Sequence, residues 1–83
     1  MVGNKLAGKF QLLSRQPDCI YVGLLGNVEA TELYEDEIRH IAHFYNVDPN
    51  GVTEWHVLKE EDAVPDCRYP RNNYNGGIVK INH

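Results

Sequence analysis

The stretch Val52-Thr53-Glu54-Trp55-His56-Val57-Leu58-Lys59 decides the fold. Read with period two, it sets Thr53, Trp55 and Val57 on one face of a strand, in a run rich in β-branched and aromatic residues. Read with the helical period, it aligns Val52, Trp55 and Leu58. Its neighbours favour the strand. Asn50-Gly51 before it is a strong turn dipeptide, and glycine is a poor residue with which to start a helix. Glu60-Glu61-Asp62 after it would put three acids at a helix C-terminus, against the macrodipole.

Just upstream, Asn46 to Gly51 stops a helix, because Pro49 restricts Asp48 to extended geometry. That helix is expected from an N-cap near Thr31 to about Tyr45, with Glu29, Glu32 and Glu35 around its first turns. At 100° per residue Tyr34, Ile38, Ile41, Ala42 and Tyr45 form one apolar stripe, while Glu32, Glu35, Asp36, Arg39 and His43 face away. Leu33 and Phe44 lie to one side with His40 and Glu37, and Phe44 is taken to widen the buried face.

Further out, Gly8 to Arg15 alternates as a strand, Gln16-Pro17-Asp18 makes a tight turn, and Cys19 to Leu25 returns as a second strand, completing a hairpin. Gly23 within it marks a bulge or a close backbone approach. Downstream, Ala63 to Asn75 carries Pro65, Pro70 and three asparagines with no apolar periodicity, and so reads as a long surface loop. Ile78 to Asn82 is a closing strand. The expected class is α+β in ββαββ order, with one amphipathic helix on a mostly antiparallel sheet.

With 83 residues the chain makes a single domain spanning 1–83. No apolar run reaches the ~20 residues of a membrane span, and Met1 to Gly8 has no apolar core of a signal peptide, so the expected location is cytoplasmic, away from membranes. Cys19 and Cys67 are too few and too far apart for a disulfide scaffold. They are read as reduced thiols that could pair only if the fold brings them together. The likeness of Pro17-Asp18-Cys19-Ile20-Tyr21 to Pro65-Asp66-Cys67-Arg68-Tyr69 is read as coincidence.

The net charge of −4 is unevenly spread. Residues 29–62 hold ten acids against Arg39 and Lys59, a net of −8, while the flanking segments carry +2 each. Asp36, His40 and His43 lie on one outer helix face at i, i+4 and i+7, but no fourth metal ligand is specified, and the reading is a solvated Asp36–His40 pair. Neither cysteine has a neighbouring base, and no nucleophile elbow or phosphate-cradling glycine loop occurs, so no catalytic residue, metal or cofactor is assigned. Arg68-Tyr69-Pro70-Arg71-Asn72-Asn73-Tyr74 interleaves cations and aromatic rings, a mixture suited to contact with a partner.

Residues Ile41 to Trp55 resemble the pattern of bacterial helix-turn-helix regulators, with Ala42, Val47, Val52 and Trp55 in the family's apolar spacing and Asn46 at the turn. The resemblance implies a helix-turn-helix over about 31–62 with flanking strands. Its second helix would read DNA through Asn50, Thr53, Glu54 and His56. Against this stands the leading expectation of a small non-enzymatic binding protein, an inhibitor or modulator of the size and charge of phage-encoded inhibitors. It would present Glu32, Glu35, Asp36 and Asp48 to a basic surface on a protein partner, with Arg68, Tyr69, Arg71 and Tyr74 as a second contact. Nucleic acid is a partner only in the helix-turn-helix alternative.

Overall fold

The computed structural model describes residues 9–83; Met1 to Gly8, including the first residue of the expected hairpin, lie outside it. Strand β1 (Phe10–Gln16) turns at Pro17-Asp18 into β2 (Cys19–Leu24). A short 3-10 turn (Ala30–Glu32) leads to helix α1 (Glu35–Phe44). Strand β3 (Glu54–Val57) and β4 (Ile78–Asn82) follow, separated by a long loop. The sheet runs β1-β2-β4-β3 with every pair antiparallel. This is the ββαββ α+β fold expected from the sequence. Residues 54–57 pair with Val79 to Asn82, so the second helix of a helix-turn-helix does not form.

Both faces of the sheet are covered. On one side Ile20, Val22, Leu24, Val79 and Ile81 pack beneath Ile38, Ile41 and Ala42 of α1, all but fully buried. On the other, the chain from Leu58 to Gly77 folds back as a strap whose Val64, Cys67 and Tyr74 pack on Leu13, Cys19, Tyr21 and Ile78. That second layer explains why every residue of β2 is buried, where a sheet with one wet face would alternate.

Two backbone irregularities make the strap possible. The β1–β2 register slips between Leu12 and Ser14, so Leu12 stays on the helix side while Leu13 turns into the second cluster, fully buried. The bulge anticipated near Gly23 is therefore on the partner strand. Gly23 is the close approach instead, since a Cβ there would stand 2.5 Å from the Tyr74 ring. The strap is fastened by polar contacts to main chain. Arg71 donates through Nη1 to the Asp62 carbonyl and through Nη2 to that of Lys59 at 3.0 Å, and Ser14 Oγ donates to the Pro65 carbonyl. Pro17-Asp18 and Pro65-Asp66 each form a turn before the cysteine, but Asp66 is left-handed (φ 53) and Asp18 is not.

The helix differs from its expected extent. Thr31 sits in the 3-10 turn, and α1 starts only after Tyr34, whose N–H is accepted by Glu37 Oε1 at 2.8 Å. Across the break Ala30 and Leu33 both reach the core. At the other end Asn46 adopts φ 64. The Val47 N–H then reaches the Ala42 carbonyl at 2.8 Å and the Asn46 N–H that of His43 at 3.0 Å, which is a Schellman stop. The shortened helix corrects two assignments. Tyr34, placed on the core stripe by periodicity, is 76% exposed as N-cap, and Phe44, taken as buried, is 62% exposed.

Candidate functional site

Within α1, Asp36, His40 and Phe44 are spaced four residues apart and stand on one exposed ridge. Phe44 is held there by edge-on contacts with Phe10 (ring centroids 5.2 Å) and Tyr45 (5.0 Å), and Phe10 also meets Tyr45 at 5.8 Å and His40 at 6.4 Å. Phe10 is buried and anchored in β1, so the exposed ring stands on a rigid footing. Such aromatic pairs add about 0.5–1.5 kcal/mol beyond area burial and prefer this perpendicular geometry.

Tyr45 ties the helix end to β1. Its hydroxyl accepts the Leu12 N–H at 3.0 Å, and its carbonyl accepts Arg15 Nη2 at 2.6 Å, placing a cation at the helix C-terminus. Burial pushes the Tyr45 phenol above its ordinary pKa, and the Leu12 N–H partly opposes the shift.

The acids nominated from sequence are not equivalent. Asp36 is exposed on the ridge, and Glu32 lies exposed in the turn before α1. Glu35 is paired with Arg39 at 2.6 Å, and the same guanidinium donates to the Pro49 carbonyl. Asp48 caps the following turn by accepting the Asn50 N–H at 2.9 Å. Glu37 is buried. Much of the −8 segment lies off the helix, on β3 at Glu54 and in the turn at Glu60 to Asp62. Among the described residues no three His, Cys, Asp or Glu side chains converge as metal ligands, Asp36, His40 and His43 included.

No family model matches the chain, and neither does any curated protein or solved structure. The site therefore rests on its geometry.

The strap residues divide in the same way. Tyr74 is buried against Gly23 and Arg71 clasps two carbonyls, so both hold the strap to the sheet. Tyr69 is 43% exposed, and Arg68 is exposed with only its main-chain N–H engaged, to the Leu13 carbonyl at 3.3 Å. The ridge and the Arg68–Tyr69 pair are thus separate features.

Cys19 and Cys67 are both free thiols of the second cluster. Burial raises the Cys19 pKa, with Lys80 opposing, so the thiol stays protonated at neutral pH and is a poor nucleophile.

Sequence reasoning named Asp36 but missed Phe44 and Arg15. For Phe44 a signal existed: the helical wheel set it to one side of the core stripe, next to His40. For Arg15 none existed, because its role depends on a helix end thirty residues away in sequence.

Proposed function

We propose that this chain is a small non-enzymatic binding protein that docks a protein partner through the outer ridge of α1. Phe44 is the apolar anchor, and the exposed acids Asp36 and Glu32 meet basic side chains. The observation that carries the reading is the 62% exposure of Phe44 on a footing of packed rings. A preorganised exposed aromatic loses little conformational freedom on binding, and such residues dominate binding energy at protein interfaces. The acids steer the encounter and select a basic partner. Glu35 and Asp48, engaged within the fold, contribute to the field without offering free carboxylates. An inhibitor or modulator of a basic protein fits this arrangement.

The test compares proteins retained from the native host's lysate by wild-type, Phe44→Ser and Asp36→Lys baits. One basic protein retained by the wild type and lost from both variants is the expected result. Equal retention on all three baits would refute the ridge as the docking surface.

A further inference from the structure

Two arginines that the sequence separates by more than fifty residues line one pocket beside β1. An open pocket of about 420 Å³ is lined by Leu12, Leu13, Ser14, Arg15, Asp66 and Arg68. Arg15 is fixed, since one of its N–H groups is spent on the Tyr45 carbonyl. Among the described residues its remaining N–H groups have no acceptor, and neither does the Arg68 guanidinium. Asp66 lines the same pocket yet forms no ion pair within 4 Å with either arginine. The left-handed backbone at Asp66 sets the strap's turn, and the Arg68 N–H pins it to β1, so the pocket is framed by ordered main chain.

From this we infer that the pocket is a phosphate site, taking the terminal phosphate of a monoester between Arg15 and Arg68. The chemistry selects phosphate over carboxylate. A phosphomonoester carries about −1.5 to −2 charges at neutral pH and three terminal oxygens, enough to meet two guanidinium forks at once. A carboxylate has two oxygens and a single charge, so it gains less from the two guanidinium groups. The site is independent of the α1 ridge and binds a ligand of opposite sign.

The experiment follows backbone amides by NMR while the full chain is titrated with inorganic phosphate, with acetate as control. AMP and O-phosphoserine then separate a nucleotide from a phosphorylated side chain as the source of the group. Phosphate should cause saturable shifts at Leu12 to Arg15 and Asp66 to Arg68, at an affinity about tenfold above that of acetate. Arg68→Gln should weaken it roughly tenfold or more, the loss expected for charge-assisted hydrogen bonds. Asp66→Asn, which keeps a side chain tolerant of left-handed backbone, should tighten it by about threefold, since a like charge is removed. At least one of the two esters should bind more tightly than inorganic phosphate. Shifts that do not saturate, that acetate reproduces, or that survive Arg68→Gln would overturn the site. An unchanged affinity in Asp66→Asn, or both esters binding no better than inorganic phosphate, would overturn the assignment of a monoester.

Discussion

At the scale of single residues, glycine and tyrosine set the inner face of the strap. Gly23→Ala forces the Tyr74 ring to move, because the new methyl would stand 2.5 Å from it. Overpacking of this kind costs about 1–3 kcal/mol, readable as a lower urea midpoint with an unchanged slope. Burial also raises the phenols of Tyr21, Tyr45 and Tyr74 above their ordinary value of 10.0, and the Cys19 thiol above its ordinary 9.0. The unfolded chain therefore loses these protons at lower pH than the folded one. Their contribution to stability is complete below the unfolded pKa values and is lost as pH climbs through the folded ones. Urea melts at successive pH values should show stability falling from about pH 9 upward, with Tyr74→Phe reducing the slope above pH 10.

At the scale of elements, the order of strands and helix was legible because local signals agreed. Asn50-Gly51 and the acids at 60–62 tipped Val52 to Lys59 toward a strand over the competing helix, of which Glu54–Val57 forms one, and Pro17-Asp18 left two alternating runs with a turn between them. The ends of α1 were less legible. Thr31 is a good cap by residue type, but it lies within the 3-10 turn, and the Tyr34 N–H bonded to Glu37 Oε1 marks the start at Tyr34. Likewise Phe44 is apolar and reads as core, yet core positions are taken by Ile41 and Ala42, and the Schellman stop at Asn46 leaves Phe44 on the outside. Phe44→Ser should therefore cost about 1–3 kcal/mol in a denaturant melt, mainly its two ring contacts. By contrast Arg71→Ala removes two main-chain anchors of the strap, and should speed hydrogen exchange at residues 59–62 while leaving β2 protected.

At the scale of the whole molecule, the strap was the feature that sequence concealed. Residues 63–75 lack apolar period, as a surface loop does, but their scattered Val64, Cys67 and Tyr74 suffice to cover a sheet face that already carries Leu13, Tyr21 and Ile78. The charge map was legible only by segment. The ten acids in the centre of the sequence are dispersed by the fold: Glu35 pairs with Arg39, Asp48 and Asp62 accept main-chain N–H groups in turns, Glu54 meets Asn82, and Glu37 is buried, while Glu32 is exposed, as is Asp36 on the ridge of α1 that carries Phe44. The two flanking positive segments, by contrast, each contribute an arginine, Arg15 and Arg68, to the lining of one pocket. The acidic, aromatic ridge proposed for a protein is thus distinct from the pocket proposed for a phosphate. The measurement that bears on the ridge most directly is the kinetics of the captured partner on immobilised wild type, Asp36→Lys and Phe44→Ser over a range of salt. Asp36→Lys should slow association and flatten its salt dependence, while Phe44→Ser should speed dissociation with association nearly unchanged. Wild-type rates for both variants would contradict the proposal that α1 carries the interface.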